Sequence, residues 1–268
     1  MTAVNRTATA SRIVLGGALV DLMRRDDVVS AVNDRLGGGE RVRPPGVPLA
    51  IGSANLDHVH HFGRRGRSAA DIDVAGPTPE WLILLDGVPM VRRAASLTGR
   101  SWPLLAGSDL LPLLLNTAQA ARARVGFLGG SGQMHDIVRP VLADRYPGLT
   151  VAGFWAPPRT DLADRDGAAR LAALIREARV DLLVVGLGKP RQERWIQRHA
   201  GASGARVLLA FGAATDFLAG TATRAPGWVR RAGVEWLYRL SREPRRLARR
   251  YCVQGPPALW RLWTDSRR

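Results

Sequence analysis

The residues Val180 to Trp195, VDLLVVGLGKPRQERW, restrict the fold more than any other stretch of this chain. An apolar run, Leu182 to Val185, ends in Gly186-Leu187-Gly188. A polar cluster follows, Lys189-Pro190-Arg191-Gln192-Glu193, and a helical pattern then begins with Trp195 and Ile196. A short apolar run bounded by glycines reads as a strand buried on both faces, as in a parallel sheet. Pro190 suits the first turn of the next helix. The polar cluster therefore falls where a strand hands over to a helix, at the carboxyl edge of a sheet, where open α/β sheets bind their ligands. Lys189 is also the one lysine among 39 Lys and Arg residues. In a chain that otherwise writes arginine, it marks a point where a compact ammonium serves and a guanidinium fork does not. The plainer alternative is a surface loop with a chance lysine.

The same reading extends along the chain. Strand-like runs recur at Pro48–Ile51, Trp81–Leu85, Arg124–Leu128, Leu149–Phe154, Asp181–Leu187 and Arg206–Phe211. Helical patterns lie between most of them: Asp27–Leu36, Val88–Leu97, Asp109–Ala121, Gln133–Arg145, Gly167–Arg179 and Arg191–His199. This alternation predicts a Rossmann-like α/β fold, a mostly parallel sheet with helices on both faces. Ile13–Met23, preceded by Arg6 and Arg12, imitates a signal peptide. Asp21 interrupts it and no small-x-small cleavage site follows, so it reads as a first strand or hairpin. Residues 1–11 read as disordered, 12–220 as the α/β core with Gly/Pro/Arg-rich loops at 37–48 and 63–80, and 221–268 as a helical appendage without strands.

Charge and cysteine usage narrow the classes further. A single cysteine, Cys252, excludes an internal disulfide and fits a reducing compartment. No apolar run reaches the ~18 residues of a membrane span. The net charge of +16 is uneven: from Thr221 onward twelve arginines face Glu235, Glu243 and Asp265, giving +9 in 48 residues. Such asymmetry points to an anionic partner: nucleic acid, membrane surface or a phosphorylated ligand. Within it, Glu235–Tyr251 sets Trp236, Leu237, Leu240, Leu247 and Tyr251 among arginines at roughly helical spacing, with Pro244 expected to divide the helix. Aromatics among arginines, with Trp260 and Trp263 beyond, favour a membrane interface or an anionic ligand over open solvent.

Several residues are placed to carry chemistry. Asp86 follows the apolar strand WLILL; a carboxylate there lies in the binding crevice, where partial burial raises its pKa toward that of a general base, or else it caps a helix. Ser53 and Asn55, just past Ile51, orient a sugar or cap the next helix, capping being the commoner use. VGFLGGSGQM, with Gly129 and Gly130, is a strand–glycine–helix turn able to present backbone N–H groups to a phosphate, or simply a tight turn. Asp216 is a second candidate carboxylate, more readily structural beside Phe217 and Leu218. Two motifs carry little: HVHH (His58–His61) lacks supporting metal ligands, and DID (Asp71–Asp73) is a three-residue match in a loop.

Taken in order, GLGKPRQE, GAATDFLAG, RAPGWVRRAGVEWLYRL and REPRRLARRY, supported by DGVP, AGSDL, FLGGSG and YPGLTVAGF, resemble the WecG/TagA/CpsF glycosyltransferases, family 26 of the sugar-nucleotide classification, from about Arg12 to Tyr251. The resemblance implies an α/β domain with a C-terminal helical appendage. It implies inverting, metal-independent transfer of an N-acetylaminosugar, often N-acetylmannosamine, from a UDP donor to a polyprenyl-diphosphate-linked sugar at the cytoplasmic membrane face. It implies no cofactor. The catalytic aspartate falls on Asp86. The substrate-binding residues fall on Ser53, Asn55, Gln192, Glu193, Arg239, Arg246 and Arg249, the arginines reaching the diphosphate. The nucleotide side is expected at Gly129, Gly130, Gly186, Gly188 and Lys189. The expected partners are the UDP-sugar, the lipid-linked acceptor and an anionic membrane surface, with no nucleic acid; a homo-oligomer is left open. The chain departs from the family at Leu104, where a pocket arginine is usual, with replacement by Arg100 left open, and at residues 63–80, which read as an insertion. Two rivals remain. A nucleotide-dependent oxidoreductase would need a GxGxxG with an acidic residue ~20 positions on, and a basic nucleic-acid-binding protein would show a binding motif; the chain has neither.

Overall fold

The computed structural model describes residues 11–37, 46–63, 78–212, 214–220, 226, 229 and 235–268. The strands are β1 (Ser11–Leu15), β2 (Ala18–Leu22), β3 (Leu49–Ala54), β4 (Glu80–Leu85), β5 (Arg124–Gly129), β6 (Thr150–Trp155), β7 (Leu182–Gly186) and β8 (Val207–Leu209). They form one eight-stranded sheet in the order β1-β2-β4-β3-β8-β7-β5-β6. Every pairing is parallel except β1 with β2. Those two make a hairpin, the second of the two readings of Ile13–Met23. Its turn residues Gly16 and Gly17 have φ of +57° and +84°, the double left-handed geometry a two-residue hairpin loop requires. The readings of residues 1–10 and of most of the loops at 37–48 and 63–80 lie outside the described residues. Ser11, grouped with the disordered terminus, instead begins β1.

The helices are α1 (Arg25–Leu36), α2 (Leu56–Phe62), α3 (Val88–Thr98), α4 (Gly107–Ala120), α5 (Gly132–Arg145), α6 (Arg159–Ala163), α7 (Arg165–Glu177), α8 (Arg191–Ser203), α9 (Ala214–Leu218), α10 (Glu235–Arg242), α11 (Pro244–Ala248) and α12 (Gly255–Thr264), with a π-helical stretch at Arg249–Gln254. Period-two alternation in the strands divides the core. Ile51, Leu84, Phe127, Val184 and Leu209 face a layer built from α1, α4, α5 and α9. Ala50, Leu128, Leu183, Val185 and Leu208 face the opposite layer, α7 and α8. In α7 the buried set Ala168, Leu171, Ala172 and Ile175 follows helical periodicity, and Asp164 caps the helix by accepting from the Gly167 N–H at 2.8 Å. Pro244 divides the tail helix as expected, standing at the start of α11.

A third cluster joins the ends of the chain. Ile13, Leu15, Val20 and Leu22 of the hairpin pack with Val59 of α2, Met90 and Ala94 of α3, and Ala258 and Leu262 of α12. The backbone of Val14 exchanges two 2.9 Å hydrogen bonds with Arg267, and the Gly16 N–H donates to Ser266 Oγ at 2.8 Å. Extended structure therefore does not stop at Gly220: Arg267 forms a bridge on the free side of β1. An edge strand offers unpaired backbone groups, and here the returning chain end covers some of them.

Candidate active site

The topology selects one crevice. β5 leads through α5 to β6, while its neighbour β7 leads through α8 the other way to β8. Helices α5 and α8 pack on opposite faces. The sheet thus has a switch point between β5 and β7, and its carboxyl edge opens there. Gly129 and Gly186, the paired last residues of those strands, form its floor. At Gly129, φ is +100° and a Cβ would lie 2.5 Å from the Gly186 carbonyl oxygen, so only glycine fits. Gly130 follows, and Ser131 caps α5 by accepting from the Met134 N–H at 3.2 Å. His135 Nε2 lies 2.7 Å from the Gly129 carbonyl and steadies the turn.

Two strands across, the register of β3 on β4 pairs Ala54 with Leu85. The next residue of each strand is Asn55 and Asp86, and they meet: Asn55 Nδ2 donates to Asp86 Oδ2 at 3.1 Å. The same Asn55 caps α2, its Oδ1 accepting from the His58 N–H at 3.1 Å. The two ends of one amide thus cap α2 and hold the Asp86 carboxylate; capping is one of the two uses expected of Asn55, and the bond to Asp86 was not foreseen. Asp86 is half-buried and Ser53 is buried on β3. Leu105 N–H donates to the Leu85 carbonyl at 2.7 Å, which brings the loop carrying Leu104 to the end of β4; Leu104 and Arg100 are both exposed.

The turn after β7 supplies the charged part. Gly186 ends the strand, Gly188 precedes Lys189, and Pro190 stands at the N-cap position of α8, one residue before the first turn expected for it. The Lys189 ammonium lies 2.9 Å from the Ser53 carbonyl oxygen, 3.1 Å from His58 Nδ1 and 3.0 Å from Glu193 Oε1. Its three N–H bonds are all committed within the protein. Gln192 Nε2 donates to the Ala210 carbonyl at 2.8 Å and to Glu193 Oε1 at 3.2 Å. Gln192 Oε1 and Glu193 Oε2 are buried without a hydrogen-bond partner among the described residues. Gly212 passes so close that a Cβ there would lie 2.8 Å from Gln192 Oε1.

The structure thus gathers Ser53, Asn55, Asp86, Gly129, Gly130, Gly186, Gly188, Lys189, Gln192 and Glu193 along one sheet edge. Asp216 lies in α9, half-buried, after β8. Arg249 is exposed on the π-helical stretch, and its neighbour Arg250 reaches Asp57 Oδ2 of α2 at 3.4 Å. The side chains of Arg239 and Arg246, and Asp71 and Asp73, lie outside the described residues. Sequence reasoning missed His58, set aside with HVHH as a weak metal motif. Among the described residues no group of three or more His, Cys, Asp or Glu is placed to hold a metal ion.

His58 is buried, and desolvation followed by the nearby Lys189 ammonium holds its pKa well below the usual histidine value. His61 and His199 are lowered too, first by burial. On unfolding these rings regain a pKa of ~6.5. The unfolded chain then binds more protons, so this contribution to stability is present above pH ~6.5 and is lost as pH falls toward the folded values. The melting temperature should drop between pH 7 and pH 5, and less steeply in His58→Asn. An identical slope in the variant would show that His58 is not the group responsible.

Similarity to known proteins identifies the family. One relative, the N-acetylglucosaminyldiphosphoundecaprenol N-acetyl-beta-D-mannosaminyltransferase of Bacillus subtilis (strain 168), is 29% identical over 170 residues, 62% of this chain and 63% of the relative. A protein of the same description from Staphylococcus aureus (strain MRSA252) is 27% identical over 167 residues, with the same coverage of 62% and 63%. The chain thus spans 63% of the length of these relatives. The Glycosyl transferase WecG/TagA/CpsF family model matches residues 13–268. A match of that extent, on a sheet whose carboxyl edge carries the residues just described, means that the chain belongs to the WecG/TagA/CpsF family of glycosyl transferases.

Proposed function

We propose that this chain transfers an N-acetylaminosugar of the N-acetylmannosamine type from a UDP-sugar to a polyprenyl-diphosphate-linked sugar, inverting the anomeric centre and using no metal. The observation that carries the reading is the Asn55–Asp86 pair at the carboxyl edge of the sheet, in a family whose relatives act on a diphosphoundecaprenol-linked N-acetylglucosamine by name. In such a transfer the acceptor hydroxyl attacks the anomeric carbon from the face opposite UDP. Asp86 takes the hydroxyl proton as the new C–O bond forms, and the old C–O bond breaks with its electron pair going to the diphosphate. Ser53 and Asn55 border the sugar. The orphaned acceptors of Gln192 and Glu193 suit sugar hydroxyls or the acetamido N–H, because a buried acceptor left unpaired costs about 1–3 kcal/mol. The Gly129–Gly130 turn and the start of α5, with Gly186 and Gly188 opposite, offer backbone N–H groups and helix dipole to the nucleotide phosphates. Arg239, Arg246 and Arg249 are assigned to offset the growing charge of the departing diphosphate.

The proposed substrate and the exposed surface support a place of action at a membrane. Trp260, Trp263 and Trp236 are 72%, 53% and 46% exposed, in a tail of charge +9. Among the described residues no helix is long and apolar enough to cross a membrane. We place the protein peripherally on the inner face of the cytoplasmic membrane, with the tail against anionic headgroups.

Metal independence is tested by dialysis against EDTA: transfer activity should be unchanged. Loss with EDTA and recovery with Mn²⁺ would overturn it and direct attention to Asp71 and Asp73. UDP should raise the melting temperature by mass action on the folded state. Duplex DNA bound with steep salt dependence, with no response to UDP, would favour a nucleic-acid-binding protein instead.

A further inference from the structure

We propose that Lys189 is a positioning residue and not a nucleotide contact: its ammonium pins the β3–α2 turn to the β7–α8 turn and so holds Asn55 against Asp86. The proposal rests on Asp86 acting as the base. The ammonium has three donors. One goes to the Ser53 carbonyl on β3, one to His58 Nδ1 on α2 and one to Glu193 Oε1 on α8. The link then runs through covalent neighbours: the His58 N–H donates to Asn55 Oδ1, and Asn55 Nδ2 donates to Asp86 Oδ2. Asn55 is thus held from both sides, between a helix fixed by Lys189 and the carboxylate it orients.

Three observations support this. The Ser53 carbonyl, His58 Nδ1 and Glu193 Oε1 each take one N–H of the ammonium, so no donor is left over for a phosphate arriving from solvent. The three acceptors come from three different elements, which a compact tetrahedral ammonium can meet and a planar fork cannot. That explains why a chain with 39 Lys and Arg residues uses lysine here alone. Finally, a lysine can only donate, so His58 Nδ1 must accept and the ring proton sits on Nε2. Burial and the adjacent ammonium both favour that neutral ring. The other titratable groups nearby are His61, the Asp57–Arg250 pair and Glu193.

The test is Lys189→Met in the full chain, with UDP affinity measured by calorimetry and transfer measured under saturating donor. Turnover should fall about tenfold or more, as small misplacements of a reacting group do. The Kd for UDP and the donor KM should stay within about twofold, the pattern of a loss felt in the transition state and not in ground-state binding. In an Asn55→Ala background the same substitution should cost almost nothing further, because the path through Asn55 is already cut. ¹⁵N spectra should show the Nε2–H form of His58 in the wild type and a His58 pKa raised in the variant. Should Lys189→Met fail to fold by stranding the buried Glu193 carboxylate, His58→Leu cuts the same link from the other side. His58→Asn, which keeps an acceptor near Nδ1, should then restore most of the lost turnover. A UDP Kd weakened tenfold at unchanged turnover would overturn the proposal in favour of direct nucleotide contact, as would full additivity with Asn55→Ala. If Asp86→Asn retains turnover, it is the base assignment that fails. If Asp86→Asn is inactive while Lys189→Met changes only UDP binding, the positioning inference alone fails.

Discussion

Replacing Asp86 by Asn is expected to lower turnover by about 10²-fold or more while leaving UDP binding close to that of the parent chain. The substitution is nearly isosteric. It removes the capacity to accept a proton but keeps a side-chain oxygen for Asn55 Nδ2, which donates to Asp86 at 3.1 Å. The fold should not suffer, because Asp86 is half-buried at a strand end and its backbone N–H bonds to the Ala54 carbonyl whatever the side chain. Calorimetry with UDP and single-turnover transfer separate the two effects. Near-normal turnover in the Asn variant would remove Asp86 from the mechanism and make Asp216 the leading carboxylate. A matched Asn55→Ala variant should show a smaller loss, since the base survives but loses one of its supports.

The second large effect concerns the tail. Converting Arg239, Arg246 and Arg249 together to Gln should reduce transfer to a soluble acceptor analogue by about 10²-fold, the scale for removing charge-stabilising donors from a leaving group. Converting Trp236, Trp260 and Trp263 to Ser should instead weaken co-sedimentation with anionic vesicles and leave solution transfer largely intact. Basic residues near an anionic leaflet contribute ~1 kcal/mol each and are screened by salt, so vesicle binding should also decline as salt rises. Point substitutions are cleaner than truncation after Gly220. Such a cut removes Ala258 and Leu262 from the cluster that holds α2 and the hairpin, along with the Val14–Arg267 bridge. It would damage the element that carries Asn55 and confuse loss of a lid with loss of the site. Arginine variants with full solution transfer would contradict the lid role, and tryptophan variants with unchanged vesicle binding would contradict the anchor role.

Much of the sheet was legible because its strands are buried on both faces. Leu182–Val185 and Arg124–Leu128 announce themselves as apolar runs ending in glycine, and the structure ends both strands at glycines, 186 and 129. Asp21 interrupting Ile13–Met23 spoke against a signal peptide and left a first strand or a hairpin, and that aspartate accepts from Arg12 Nε at 2.6 Å and from the Ile83 N–H at 2.8 Å. Strand order was not legible, because local periodicity carries no information on which strands pair. The site divided along the same line. Asp86, Asn55 and the polar cluster after β7 stood out as strand-end residues, but the direct Asn55–Asp86 bond depends on the β3–β4 register. The His58–Lys189 contact joins residues 131 apart in the chain, and nothing local to either announces it. The return of the chain end to the hairpin spans 250 residues between Gly16 and Ser266, and it was hidden for the same reason.

Every role assigned above depends on transfer with inversion at the carboxyl edge of the sheet, with Asp86 as base. It is tested most directly by incubating the full chain with UDP-N-acetylmannosamine and a polyprenyl-diphosphate-linked N-acetylglucosamine in EDTA, then reading the product linkage by NMR beside the Asp86→Asn variant. The expected product is a lipid-linked disaccharide whose new linkage is inverted relative to the donor, formed without metal and nearly absent with the variant. Retained configuration, a metal requirement, or equal product from the Asp86→Asn chain would contradict it.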